Sequence, residues 1–215
     1  MKIFEGGNVF KDSEGRALTQ RINQTDVKST IAWLEQLTGL DLQDNTLGST
    51  GRKPTSGDLD LAVDVNQVSK DQLHAKLSQW AQSHGFKPDE YVRKSGISVH
   101  LKTPINGDPA NGYVQTDFML MPNLNWGVFF LSGGQGSAYK GMFRNVLMSS
   151  IAKQLGLKVG ANGMFSRASN QLVPNGMNPD YVAQVLLGPT AKKENLKNVE
   201  SIYSALANDQ QKDAK

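Results

Sequence analysis

Two hydrophobic patterns alternate along the chain, and together they predict a fold that mixes helices and strands. Apolar residues recur at helical spacing in five segments, at about 25–38, 69–85, 138–155, 178–188 and 190–207. Apolar and polar residues alternate with period two, or apolar residues run together, in four strand-like segments at about 58–65, 91–103, 113–121 and 126–131. Their order predicts an α+β fold with a mixed sheet, flanking helices and a small C-terminal helical part.

Local signals support one of these helices and suggest a division of the chain. Ser69 is followed three residues later by Gln72, which is the spacing of a capping box at a helix start, and Gly85 marks the end of that helix. We expect a main domain over residues 1–175 and a C-terminal helical segment over 176–215, whose polar end is frayed.

The composition excludes several kinds of protein and leaves a folded chain with little charge bias. Hydrophobic residues make up 38% of the 215 residues, and 23 basic against 20 acidic residues give a net charge of +3. The chain has no cysteine, so disulfides and thiolate metal sites are excluded. No apolar run approaches the roughly 20 residues that span a membrane. We therefore expect a cytoplasmic protein without a membrane partner, for which a polyanionic partner is permitted but not required.

The first predicted strand carries two acids two residues apart, directly after a turn rich in glycine and serine. Asp58 and Asp60 therefore point to one face of the strand, while Leu59 and Leu61 point to the core. Side-by-side carboxylates repel unless a cation lies between them, and their oxygens suit Mg²⁺ or Mn²⁺. The small residues of the turn, at 47–57, leave backbone N–H groups open to an anion such as phosphate. Together the two features indicate nucleotide chemistry.

These residues resemble the signature of the nucleotidyltransferase superfamily that includes DNA polymerase beta. That signature is Gly-Ser, a short basic turn, Ser-Gly-Asp-hydrophobic-Asp on a strand, and a third Asp on a later strand. Gly48-Ser49, Arg52 and the segment 56–60 match the first parts, and Asp117 matches the last. The likeness extends over roughly residues 40–190, and it implies the mixed sheet of the polymerase beta palm, with a thumb-like segment at the C-terminus.

The resemblance implies a metal-dependent enzyme that moves a nucleoside monophosphate from a triphosphate, such as ATP, to a hydroxyl acceptor and releases pyrophosphate. It implies two divalent ions, both bound by Asp58 and Asp60. Asp117 binds only the ion at the acceptor hydroxyl and can take the proton of that hydroxyl. These three aspartates are the expected catalytic and metal-binding residues.

The resemblance also implies a set of nucleotide-binding residues. Ser49 and Arg52 are expected to hold the β- and γ-phosphates, and Ser132-Gly133 matches a turn that lies under the sugar in polymerases of this family. Lys140 and Arg144 lie four residues apart on a predicted helix, so they share a face and are either a triphosphate clamp or solvated surface charges. The expected set is Gly48, Ser49, Arg52, Lys53, Gly57, Ser132, Gly133, Lys140 and Arg144.

Several alternatives stay open at the level of the sequence. An isolated Asp-x-Asp pair is more often a turn or a solvated face, which would make the chain a structural protein. The same fold also serves as a catalytically inactive module that binds nucleotide or nucleic acid. The acceptor could be a nucleic-acid 3′ end, a small molecule or a protein. The sequence does not determine the base or sugar preference for the nucleotide, nor the oligomeric state. One departure from the family is Gln115, where a basic residue is usual, and His100 and Lys102 have no predicted role.

Overall fold

The computed structural model describes residues 8–48, 50–132, 137–139 and 141–207. Contacts group the chain into two compact units, Met1–Pro122 and Asn123–Lys215. This division falls earlier than the predicted boundary near residue 175. The physical reason is that the chain from Asn123 onwards builds a hydrophobic core of its own, to which two helices and a hairpin before residue 175 contribute.

A four-stranded mixed sheet organises the first unit, and its strand order places two distant segments side by side. The strands of this unit are β1 (Ile22–Asn23), β2 (Thr55–Ser56), β3 (Asp58–Asp64), β4 (Val92–Ser95), β5 (Ser98–Pro104) and β6 (Tyr113–Met121). The sheet has the order β3-β6-β5-β4, and β1 and β2 form a separate antiparallel pair. β3 runs parallel to β6, while β6 with β5 and β5 with β4 are antiparallel. The predicted α+β class with a mixed sheet is therefore confirmed.

Among the described residues of the first unit, two α-helices begin and end close to where the sequence predicts them, and a third, short one was not predicted. They are α1 (Gln24–Thr38), α2 (Lys70–Ser83) and α3 (Pro88–Tyr91). α2 opens with the predicted capping box, in which the Ser69 side chain accepts from the Gln72 backbone N–H and the Gln72 side chain accepts in return. The segment predicted as one strand at 91–103 is instead the β4–β5 hairpin, which turns at Gly96, where φ is +49°.

Apolar and acidic side chains alternate along the first part of β3, so one face of the strand packs in the core and the other carries the acids. Leu59 and Leu61 are fully buried in a cluster with apolar residues of α1, α2 and the neighbouring strands, whereas Asp58 and Asp60 are half-buried on the other face. The predicted inward and outward assignment of this strand is therefore confirmed. The apolar side of the sheet fixes the register of β3, because a shift by one residue would bury both acids.

The second unit is mostly helical, and one of its helices replaces a predicted strand. Its elements are α4 (Leu124–Leu131), α5 (Gly141–Gln154), β7 (Leu157–Gly160), β8 (Gly163–Ser166), α6 (Pro179–Leu187) and α7 (Val199–Ala207). The strand prediction at 126–131 is wrong, because Asn123 caps a helix there by accepting from the Trp126 backbone N–H. A short run that is apolar all round does not show by its periodicity whether it is a strand or a buried helix.

The buried face of α5 also differs from the one that the apolar residues predict. Met148, Ile151 and Ala152 are buried together with Arg144, whereas Phe143 and Val146 are about half exposed, at 50% and 52%. Among the residues that the structure describes, no helix combines the length and the apolar character needed to cross a membrane.

Candidate functional site

The parallel pairing of β3 with β6 brings Asp117 next to the two acids of β3. In the register of this pair, Asp60 lies opposite Asp117 and Asp58 lies opposite Gln115. Each of the three aspartates offers a carboxylate oxygen, and these oxygens lie within 4.8 Å of one another. Within the described part of the chain, this is the only such group of three or more histidine or acidic side chains.

The environment of the three aspartates opposes their joint ionisation. Burial, and secondly the charges of Asp58 and Asp117, raise the pKa of Asp60 to about 7. Burial, and secondly Asp117, also raise the pKa of Asp58, although the nearby Arg21 opposes this shift. At an effective dielectric constant of about 20, two ionised carboxylates at this separation repel by on the order of 1–3 kcal/mol after solvent screening. A divalent cation among them removes this repulsion.

The donor set fits a hard divalent cation. All three side chains are carboxylates, and their half-buried positions leave oxygens accessible beside one another. Oxygen-only coordination is what Mg²⁺ and Mn²⁺ prefer, and two such ions can share a bridging carboxylate about 3.5–4 Å apart. The spacing of the three ligand oxygens is compatible with this arrangement.

The glycine-containing turn is fastened to the backbone of Asp60 along the free edge of β3. The Leu47 N–H donates to the Asp60 carbonyl at 2.8 Å, and the Asp60 N–H donates to Thr50 Oγ1 at 2.9 Å. Gly48 has φ +56°, and a Cβ at this position would lie 3.0 Å from Asp60 Oδ2. Glycine is therefore required both by the left-handed backbone and by the close approach of the turn to the carboxylate.

The basic residues of the turn are exposed, and a further arginine, which directly precedes β1, lies near the acids. Arg52 and Lys53 lie at the surface, and Arg52 Nη1 donates to the Gly48 carbonyl at 3.3 Å. Arg21 donates through Nε to Thr55 Oγ1 at 3.0 Å and through Nη2 to the Thr55 carbonyl at 2.9 Å. A Cβ on Gly57 would lie 3.3 Å from Arg21 Nη1. Arg21 is thus a cation beside Asp58 that sequence reasoning missed.

Asp117 is held by two side chains that sequence reasoning left without a role. Gln115 Nε2 donates to Asp117 Oδ1 at 2.9 Å and to Oδ2 at 3.2 Å, and the Val9 N–H donates to Gln115 Oε1 at 2.8 Å. His100 Nδ1 lies 2.8 Å from Asp117 Oδ1, and His100 Nε2 lies 2.6 Å from Ser95 Oγ. The register of β5 against β6 sets His100 directly opposite Asp117, a pairing that no local sequence signal indicates.

The remaining predicted nucleotide-binding residues lie in the second unit or outside the described residues. Ser132 follows α4, and its Oγ is buried without a hydrogen-bond partner among the described residues. Arg144 is fully buried, with Nε donating to the Leu196 carbonyl at 2.5 Å and Nη1 to the Phe130 carbonyl at 2.8 Å. These bonds give Arg144 a structural role, while its Nη2 is buried without a hydrogen-bond partner among the described residues. The predictions for Ser49, Gly133 and Lys140 fall outside the described residues.

Comparison of the sequence with models of known protein families gave no match, and comparison with curated proteins gave none either.

Proposed function

We propose that this chain is a metal-dependent nucleotidyltransferase with a polymerase beta-like catalytic sheet. It transfers a nucleoside monophosphate from a nucleoside triphosphate to a hydroxyl acceptor and releases pyrophosphate. The observation that carries this proposal is the pairing of Asp60 with Asp117 on parallel strands, which gathers three distant carboxylates into one cluster. The glycine turn fastened to Asp60 supports it, because this turn and the three acids are the parts of the motif that the sequence resembles.

Each group of the site has a distinct task in this reaction. Asp58 and Asp60 would hold both divalent ions, and Asp117 would hold the ion on the acceptor side. The ions, when bound, supply the charge that neutralises the triphosphate and positions the attacking and leaving oxygens. Asp117 also accepts the proton of the acceptor hydroxyl.

Phosphate binding falls to the turn and to the cations around it. We assign phosphate binding to backbone N–H groups of the turn near Gly48 and to the side chain of Arg52, with Lys53 and Arg21 as further cations. Phosphoryl transfer depends mainly on position and on charge stabilisation, so a small set of residues is sufficient. The acceptor is a hydroxyl of a nucleic-acid 3′ end, a small molecule or a protein.

The test is a transfer assay with an α-labelled triphosphate, Mg²⁺ or Mn²⁺ and separate pools of RNA, DNA, small hydroxyl compounds and protein. We expect label in one pool, and a loss of at least about 100-fold in Asp58→Asn and Asp60→Asn. Asp64→Asn is the matched control, because Asp64 ends the same strand and its carboxylate accepts from Asn66 instead.

Calorimetry with Mn²⁺ and a nonhydrolysable triphosphate separates this function from its alternatives. Triphosphate binding without transfer to any pool would identify a catalytically inactive binding module. The absence of both Mn²⁺ binding and triphosphate binding would leave the three aspartates with a structural role and contradict the proposal.

A further inference from the structure

The most extensive hydrogen-bonded chain around the acids converges on one oxygen of Asp117. Asp117 Oδ1 is approached by His100 Nδ1 at 2.8 Å and by Gln115 Nε2 at 2.9 Å, whereas among the described residues Oδ2 has only the longer contact with Gln115 at 3.2 Å. A carboxylate oxygen has two lone-pair sites, so these two bonds fill Oδ1. Oδ2 is the oxygen that stays available to an external cation or hydroxyl.

The proton on the histidine ring follows from the same contacts. A carboxylate accepts, so the bond to Asp117 assigns the ring hydrogen to Nδ1 of His100. In the neutral ring Nε2 then accepts from the Ser95 hydroxyl, and the two atoms lie 2.6 Å apart. The side chain of His100 is only 8% exposed, so each ring nitrogen is satisfied by protein rather than by water.

We propose that His100, oriented by Ser95, is a positioning residue that holds Asp117 in the orientation needed to bind the acceptor-side divalent ion. This inference rests on the nucleotidyltransferase function proposed above. Without the His100 donor, Gln115 alone holds Oδ1 against the repulsion from Asp58 and Asp60, which favours rotation of the Asp117 side chain away from the cluster. Partners that fix a ligating group commonly matter for metal affinity nearly as much as the ligand itself.

Ser95, His100 and Asp117 are also hydrogen-bonded in the order of a hydrolytic triad, from hydroxyl to imidazole to carboxylate. The carboxylate of Asp117, however, lies in the cluster with Asp58 and Asp60, which favours the positioning role. A nucleophilic Ser95 is therefore treated as one outcome of the test.

The experiment measures Mn²⁺ binding to the full chain by electron paramagnetic resonance, at saturating nonhydrolysable triphosphate. We expect two bound ions in the unaltered chain. In His100→Leu, the affinity for the more weakly bound ion should be lower by about 10–100-fold. His100→Asn, whose amide can donate at the position of Nδ1–H, should stay within about threefold of the unaltered chain. Triphosphate affinity, measured by calorimetry, should change little in either variant.

Two further variants distinguish positioning from a general packing role. His84→Leu removes an exposed histidine of the same unit that contacts Trp80 and Ser83, and it should leave both ions unaffected. Ser95→Ala removes only an exposed hydroxyl and should weaken the same ion by about 3–10-fold, which keeps the test valid if His100→Leu does not fold.

Unchanged Mn²⁺ affinity in Ser95→Ala and in folded His100→Leu would overturn the positioning role while leaving the proposed function intact. Equal losses in His100→Leu and His100→Asn would do the same, since packing rather than the donor would then be responsible. Covalent labelling of Ser95 by a fluorophosphonate would overturn it in favour of a nucleophilic serine. If the unaltered chain binds no Mn²⁺ with the triphosphate, the proposed function itself fails.

Discussion

Asp60 and Asp117 face each other across two parallel strands, and this single pairing creates the acidic cluster. The residue opposite Asp58 in the same register is Gln115, which bonds to Asp117 rather than adding a further charge. The cluster therefore has three carboxylates, and Arg21 is a cation that partly opposes the rise in the pKa of Asp58. A site arranged in this way is unfavourable when empty and favourable with a divalent ion.

The first prediction concerns the pH dependence of stability without metal. The pKa of Asp60 is raised from 3.8 to about 7 in the folded chain. Between these two pH values, Asp60 is therefore protonated in the folded state and ionised in the unfolded state. Stability should therefore fall as the pH rises through this window, by up to about 4 kcal/mol for this group. Urea unfolding in a chelating buffer at a series of pH values measures it.

Two comparisons identify Asp60 as the source of that pH dependence. Asp60→Asn should be more stable than the unaltered chain at alkaline pH and should flatten the profile, whereas Asp64→Asn should keep the slope. Saturating Mn²⁺ should restore stability on the alkaline side. A flat profile for the unaltered chain in the chelating buffer would show that the carboxylates do not oppose one another.

The second prediction concerns the bond that fastens the turn to β3. Thr50 is 2% exposed, and its hydroxyl accepts the Asp60 N–H. Thr50→Val keeps the shape and leaves this buried N–H without an acceptor, at a cost of about 1–3 kcal/mol in unfolding free energy. Thr50→Ser retains the hydroxyl and should recover most of the loss. If valine proves as stable as threonine, the turn is fastened by other contacts.

The third prediction separates backbone strain from the contact with the carboxylate. In Gly48→Ala the new residue has a positive φ of +56°, and its Cβ lies 3.0 Å from an oxygen of Asp60. In Gly15→Ala φ is +79°, and no atom lies within 4 Å of the new Cβ. Both variants should lose about 1–2 kcal/mol of stability. Only Gly48→Ala should weaken Mn²⁺ binding, by about tenfold if the contact costs a further ~1.4 kcal/mol. Equal Mn²⁺ affinities in the two variants would contradict the close approach.

The fourth prediction concerns Arg144, for which the sequence and the structure point in different directions. Arg144→Met removes the donors to the Phe130 and Leu196 carbonyls, and it should destabilise the second unit by about 2–4 kcal/mol. Triphosphate affinity should be unchanged. A loss of triphosphate affinity at unchanged stability would instead support the clamp that the sequence predicts. Calorimetry and urea unfolding on the same preparation distinguish the two results.

The comparison of prediction and structure shows which signals are local. The capping box at Ser69 and the inward leucines of β3 were predictable, because each depends on neighbours within a few residues. The helix at 124–131 was predicted as a strand, because its apolar residues give no period and the cap from Asn123 was not recognised.

The residues of the site also differ in whether local sequence signals predict them. The convergence of the three acids was predictable because the motif places them at characteristic positions relative to strands, whereas their metal binding stays a prediction. Gln115 lies two residues before Asp117 on β6, so period-two alternation alone would have placed the two side chains on one face. Arg21 and His100 could not be assigned, because their roles depend on the pairing of β1 with β2 and on the register of β5 against β6. These contacts between distant segments carry no periodicity or spacing that a single sequence displays.

The most direct test of the proposed site is anomalous diffraction from crystals grown with Mn²⁺ and a nonhydrolysable triphosphate. We expect two Mn²⁺ peaks about 3.5–4 Å apart, both within coordination distance of Asp58 and Asp60 and one of them also bound by Asp117 Oδ2. The triphosphate should lie against the turn at Gly48. Triphosphate bound without Mn²⁺ at these aspartates, or Mn²⁺ bound elsewhere, would contradict the proposed catalytic centre.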